Sequence, residues 1–362
     1  MRFKKDPFLV NRSPFGTEVL VIYTGGTMGM GINLTGKDEV LIPRDFARLS
    51  DTVPELLRLN TNITLIAAEK PLDSSNIKPS DWIDLATLIG ENYERYDGFV
   101  VLHGTDTTAY TASALSFLLE GLDKPVVFTG AQLPLESVRT DARENLVTAI
   151  TIAGDKQHNG KGDACAPEVS IFFDGRLYRA NRARKTHSSN FDAFVSYNFP
   201  LLADAGIRID YKNGNIRKPG TAKFKYYKTL EENIVIVKFY PGLKESVFHA
   251  QTSEPSMKGL ILETFGMGNA PTDSWLEPAI RDLIARGVVI LNVSQCPGGT
   301  VVQGRYQTSK HLKNSGVIGG GDLSTEAALA KMMFVLGNEP FKQDPAKYLQ
   351  MDLRGEMTEQ ER

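Results

Sequence analysis

The chain has 362 residues, 41% hydrophobic and 23% charged, with a formal net charge of -2. That balance describes a water-soluble folded protein with ample material for a core, and it gives no overall pull toward nucleic acid or an anionic membrane. Cys165 and Cys296 are its two cysteines; a pair so far apart reads better as reduced thiols than as a disulfide framework.

In chain order, Met1-Arg2-Phe3-Lys4-Lys5-Asp6 is basic, but no long apolar stretch follows it. The apolar run at 19–23 is too short for a signal-peptide core or a membrane span, so the expected compartment is the cytoplasm. Short apolar runs at 19–23, 63–68, 98–103, 125–129 and 169–173 are expected strands. Between them, Trp82, Leu85, Ile89 and Tyr93 recur at helical spacing behind Pro79, with Ser80 as the N-cap. Further helices are expected at 108–119 and 144–153. Alternating helices with nearly continuous apolar strands imply a parallel sheet covered on both faces.

From 210 to 225 the chain turns polar, basic and glycine-bearing, the texture of a domain connection. A second alternation follows, with strands at 233–239, 259–263 and 287–293 and helices at 274–285 and 324–336. The expected fold class is α/β, with a larger N-terminal parallel-sheet domain and a smaller C-terminal α/β domain. The expected limits are 1–17 for an N-terminal extension, 18–209 for the larger domain, 210–229 for the connection and 230–362 for the smaller domain.

In parallel sheets, ligands bind beyond the carboxyl ends of the strands. Two strands end there in Thr24-Gly25-Gly26-Thr27 and His103-Gly104-Thr105-Asp106-Thr107. A threonine hydroxyl on such a turn can act as a nucleophile, and glycine lets a ligand approach the backbone. The first turn fits neither the P-loop nor the dinucleotide fingerprint. The second also reads as a helix N-cap, with Asp106 or Thr105 meeting free amides of the following helix. That role is compatible with binding, since a carboxylate attracts an ammonium group and a helix N-terminus attracts a carboxylate or an oxyanion. Lys185 lies in a basic cluster with Arg176, Arg179, Arg182 and Arg184, a pattern that otherwise reads as a solvated face or an interface. The five histidines lack metal-ligand spacing, so no metal is expected, and His103 is expected to be packed or hydrogen-bonded.

These turns occur in one order with Asp73-Ser74-Ser75, Thr129-Gly130-Ala131-Gln132, the basic segment 176–185, Gly266-Met267-Gly268-Asn269-Ala270-Pro271, Gln295-Cys296 and Leu353-Arg354-Gly355-Glu356. Together they resemble the bacterial L-asparaginases, most closely the type I, cytoplasmic branch. The resemblance implies hydrolysis of L-asparagine to L-aspartate and ammonia without a cofactor. It implies Thr27 as nucleophile of an acyl-enzyme route, with Thr105, Asp106 and Lys185 as a second triad. Asp73, Ser74 and Ser75, with Thr105 and Asp106, correspond to the substrate-binding segment. Asn269 corresponds to a residue that completes a neighbouring subunit's site, hence a homodimer or homotetramer; no nucleic-acid or membrane partner is implied. The rival readings are a glutaminase-asparaginase of broader specificity and a non-catalytic amino-acid-binding sensor.

Two departures stand out. Many family members carry a tyrosine on the loop after the nucleophile, yet none occurs between Tyr23 and Tyr93. Segment 29–43 keeps lid character, with Gly29, Gly31 and Gly36 as hinges; either Thr35 or a tyrosine from elsewhere stands in for the missing hydroxyl, or the loop contributes only exclusion of water. Ser294, Gln295 and Cys296 match a regulatory asparagine site of some relatives, but Glu263 stands where those carry arginine, which would weaken carboxylate binding there.

Overall fold

The computed structural model describes residues 1–33, 40–43, 49–156, 162–304 and 307–359. The expected lid residues Thr35 and Gly36 lie outside the described residues. The chain divides into two compact units, Met1–Lys228 and Thr229–Arg362.

The first unit is built on a nine-stranded sheet. At its centre, Thr61–Leu72, Thr17–Gly25, Gly98–Leu102, Val126–Thr129 and Val169–Phe173 lie side by side in that order, all parallel. Their apolar runs are continuous because both faces are covered; Val19, Leu20, Val21 and Ile22 are all fully buried. Each such side chain contributes about 1.5–3 kcal/mol of burial free energy. Helices Pro79–Asn92, Thr108–Leu118 and Ala142–Gly154 connect these strands. Leu85, Ala86 and Ile89 of the first of them are buried at helical spacing, matching the expected helix, but the helix already starts at Pro79 with Lys78 as its N-cap, so Ser80 lies within the first turn and is not the cap.

The sheet is mainly, not wholly, parallel. Phe8–Asn11 adds an antiparallel edge beside Thr61–Leu72. On the other side, Arg176–Arg179, Ala203–Ala205 and Ile209–Tyr211 extend it antiparallel. A hairpin through Asp174 and Gly175, both at positive φ, makes that reversal. Strands Ile209–Tyr211 and Lys225–Tyr226 of the first unit take in residues 210, 211, 225 and 226 of the expected connection.

The strand order creates a switch point. From Thr17–Gly25 the chain moves to one neighbour, Thr61–Leu72, and then crosses back to Gly98–Leu102 on the opposite side. Connections leaving these two central strands therefore diverge, opening a crevice beyond their carboxyl ends. The two threonine turns stand there.

The second unit has a four-stranded parallel sheet, Ile234–Lys238, Gly259–Thr264, Val289–Ser294 and Ile318–Gly319 in sequence order. Helices Leu276–Ala285 and Thr325–Gly337 belong to this unit. Among the described residues, no helix is long and apolar enough to cross a membrane.

Candidate active site

Three loops close over the crevice, and glycines set how tightly they meet. Gly26 has φ +87, and a β-carbon there would lie 2.5 Å from Gly104 N and 2.6 Å from Gly104 Cα. Only a residue without a side chain permits that backbone-on-backbone contact. Likewise a β-carbon on Gly104 would lie 2.6 Å from Ser74 Oγ. The Thr27 turn, the Thr105 turn and the Ser74 loop are thus knitted side by side. Gly26 N donates to Leu72 O (3.2 Å) and Thr107 Oγ1 to Ser74 O (2.7 Å), fixing the same arrangement with hydrogen bonds.

Thr27 opens a single 3-10 turn, Thr27–Gly29. It is half-buried, while Met28 beside it is buried in the core and anchors the turn. Thr105 lies in the turn between the strand Gly98–Leu102 and the helix Thr108–Leu118. Thr108 Oγ1 returns a hydrogen bond to Gly104 O at 2.9 Å. Neither Thr105 nor Asp106 caps the helix; residue 107 is the N-cap and makes no side-chain cap bond.

Lys185 reaches this turn from 80 residues away, on the short strand Arg184–Lys185 held against Phe194–Val195. Its Nζ donates to Thr105 Oγ1 at 2.7 Å and to Asp106 Oδ1 at 2.7 Å. The Lys185 side chain is 15% exposed and that of Asp106 66% exposed, while Thr105 is buried. An ammonium group on a buried hydroxyl makes that oxygen easier to deprotonate, because the positive charge favours the anion. Thr105 Oγ1 also donates to Gln132 Oε1 at 3.2 Å.

The basic cluster around Lys185 is only partly a solvated face: Arg176 is exposed and Arg184 half-buried, while Arg179 and Arg182 are buried. Arg179 is buried and pairs with Glu168 at 2.7 Å. It stacks 4.1 Å over the Phe199 ring, with the buried Arg182 5.3 Å from the same ring. These arginines are framework, and they leave Lys185 to meet the threonine turn.

Asp73 caps the turn Ser74–Asn76, accepting from Ser75 Oγ (2.7 Å) and Ser75 N (2.9 Å). The Ser75 hydroxyl and then its amide hold the Asp73 carboxyl below the ordinary aspartate range. Asp73 and Ser75 are exposed and Ser74 is buried. His103 is buried; burial pushes its imidazole down to about 4 although the Gly104 carbonyl opposes this. Its Nδ1 lies 2.8 Å from Gly104 O. The ring is neutral near pH 7 and packs tilted against Phe128.

Asn269 belongs to the second unit, in a tight loop where Phe265 and Asn269 pair. Its Oδ1 accepts from Thr308 Oγ1 at 2.9 Å. In the same unit, Gln295 Nε2 donates to the carbonyls of Phe239 (2.6 Å) and Glu263 (2.8 Å). Ser294 Oγ donates to Gly266 O at 2.6 Å, and Glu263 Oε1 accepts from Thr325 Oγ1. Cys296 is a free, exposed thiol and Cys165 a free, buried one. The backbone of the expected lid forms two paired strands, Met30–Asn33 and Val40–Pro43.

Sequence reasoning singled out Thr105, Asp106 and Lys185, and the fold brings their polar atoms into contact. It did not assign roles to Gln132, Thr107 or Thr108. Gln132 was visible only as a member of a motif.

Comparison with known proteins agrees with this architecture. The family model "Asparaginase, N-terminal" matches residues 18–217, and "Glutaminase/Asparaginase C-terminal domain" matches 233–349. The chain is 40% identical over 341 residues to L-asparaginase 1 of Escherichia coli K12, covering 94% of this chain and 98% of that protein. It is also 36% identical to a mouse protein named 60 kDa lysophospholipase, across 94% of this chain and 62% of the mouse protein. The crystal structure of L-asparaginase I from Vibrio cholerae superposes with a TM-score of 0.83 at 38% identity, covering 95% of this chain and 99% of that one.

Proposed function

Since the chain belongs to the asparaginase family, we propose that it is an L-asparaginase, hydrolysing the side-chain amide of L-asparagine to L-aspartate and ammonia. Relatives of one fold carry different names, so the choice rests on the site rather than on the fold. The observation that carries it is the Lys185 ammonium held between Thr105 Oγ1 and Asp106 Oδ1, on a turn packed glycine-to-backbone against the turn of Thr27. A binding protein has no need of a lysine aimed at a buried hydroxyl.

In the proposed route, Thr27 Oγ1 attacks the carboxamide carbon and loses its proton to the Thr105–Lys185–Asp106 group, in which the Asp106 carboxylate is the acceptor. A threonine hydroxyl is too weak an acid to attack an amide unaided at neutral pH, so this assistance is required. The tetrahedral oxyanion collapses as that proton is passed to the amide nitrogen, which departs as ammonia and leaves an ester on Thr27. Water then cleaves the ester to release aspartate and restore the hydroxyl. Asp73, kept anionic, and Asp106 are suited to the substrate's α-ammonium group; the Ser74–Asn76 turn is suited to its α-carboxylate. No step calls for a metal or an organic cofactor.

The partner we propose is a second copy of the chain, in a homodimer or homotetramer, with Asn269 completing a neighbouring site. The two free thiols support a reducing compartment, the cytoplasm.

Ammonia release from L-asparagine tests the reading. It should be abolished in Thr27→Ala with an unchanged melting temperature; normal turnover by that variant would remove Thr27 as nucleophile. Asparagine and glutamine differ by one methylene, about 1–3 kcal/mol of discrimination in a pocket. Equal kcat/KM for the two amides would replace the asparagine-specific reading with the broader glutaminase-asparaginase.

A further inference from the structure

A hydroxyl has one proton and two lone pairs. At Thr105, Lys185 Nζ occupies one lone pair, since an ammonium group only donates. The proton goes to Gln132 Oε1. The Gln132 amide cannot be turned the other way. Its far end meets the Asn190 carbonyl at 2.9 Å, an atom that only accepts, so nitrogen faces Asn190 and oxygen faces Thr105. The backbone is held too: Gln132 N donates to both carboxylate oxygens of Asp141, at 3.1 and 2.9 Å, where the helix Ala142–Gly154 begins. Thr105 is left with one uncommitted lone pair and its proton already engaged.

We infer that Gln132 is a positioning residue that makes Thr105 a hydrogen-bond acceptor toward the occupant of the site, so that the enzyme favours a carboxamide over a carboxylate. This rests on the amidase reading above and adds a basis for telling substrate from product. The NH2 of a carboxamide donates into the remaining lone pair. The carboxylate of aspartate can only accept, and it meets an oxygen with no proton to offer. Nothing in the reaction requires Gln132 to touch the reacting atoms; it acts through Thr105.

Gln132→Met keeps the length of the side chain and removes its oxygen, releasing the Thr105 proton toward the site. The ratio of Ki for L-aspartate to KM for L-asparagine should then fall about tenfold, with aspartate bound more tightly in absolute terms. Gln132→Glu gives up the bond to the Asn190 carbonyl but retains an acceptor oxygen for the Thr105 proton, and should hold that ratio at or above the unsubstituted value. Weaker binding of both ligands in parallel, the sign of a merely structural role, overturns the inference, as does an unchanged ratio in Gln132→Met. Should Gln132→Met fail to fold, Gln132→Glu decides alone, and a ratio below the unsubstituted value sinks the idea. If the unsubstituted protein releases no ammonia from asparagine, it is the amidase reading that fails. Calorimetric aspartate affinities of the two variants still report on Gln132 in that case, because they need no turnover.

Discussion

In the proposed route, Lys185 is ordered for chemistry rather than for stability. Its partner Asp106 is two-thirds exposed, and an ion pair of that kind contributes little to folding because water screens it. The contact with buried Thr105 is different in kind, since it sets a positive charge against the hydroxyl that assists proton transfer in the proposed route. Lys185→Met should therefore lower kcat by about 100- to 10,000-fold, the range for losing a group that assists proton transfer, with little change in thermal midpoint. Steady-state kinetics and a melt on the same preparation check both halves; full turnover would reduce the triad to a structural contact. Residue types at the threonine turns were legible in the sequence because a nucleophilic hydroxyl, a carboxylate and glycines beside a strand end are a recognisable set. The bonds of Gln132 to Thr105 and of Thr107 to the Ser74 carbonyl were not. Such bonds depend on how loops from separate strands come into register, which spacing along one segment does not encode.

At the scale of an element, the helix Thr325–Gly337 poses a physical question. Ser324 caps it, accepting from Ala327 N at 3.2 Å, and nearly all its residues are buried, yet Lys331 sits in its middle with no exposed surface. Its ammonium pairs with the equally buried Glu356 at 2.7 Å and donates to the carbonyls of Leu349 (3.1 Å) and Met351 (2.6 Å). Glu356 in turn accepts from the amides of Leu353 and Arg354. The pair latches the C-terminal turn onto the helix. Lys331→Met should destabilise the second unit by about 3–5 kcal/mol, because the carboxylate is left buried without its partner. Adding Glu356→Gln should restore part of that loss. Burial alone would raise the Glu356 carboxyl, but Lys331 and the surrounding donors outweigh it and bring it down from 4.5 to about 2. A depressed folded-state value means the stabilisation is complete above about pH 4.5 and drains away as pH falls toward 2. Denaturant midpoints between pH 7 and 3 should show that decline in the unsubstituted protein and a shallower one in Lys331→Met. The central parallel strands and most helices were legible because full burial leaves unbroken apolar runs. The antiparallel edges Phe8–Asn11, Ala203–Ala205 and Ile209–Tyr211 were not, being short and partly exposed. They are defined by pairing, not by composition.

At the scale of the whole molecule, the proposed chemistry divides between chains. Thr27, Thr105, Asp106 and Lys185 all belong to the first unit, and Asn269 to the second. If Asn269 serves the site of a neighbouring copy, the smallest active species is a dimer related by a two-fold axis, each chain lending one residue to the other. That arrangement has a consequence no single-chain site shares. Thr27→Ala and Asn269→Ala chains, each deficient alone, should recover activity when refolded or co-expressed together. In a mixed dimer, one site combines both lesions and the other has neither. Half of randomly paired dimers are mixed, so recovery should approach about a quarter of the unsubstituted activity. Were Asn269 to act within its own chain, every site would keep one lesion and mixing would restore nothing. Ammonia release from the mixture, compared with each variant alone at equal total chain concentration, separates the two arrangements. The sedimentation coefficient of the same samples should place the recovered activity in the dimer or a larger closed assembly.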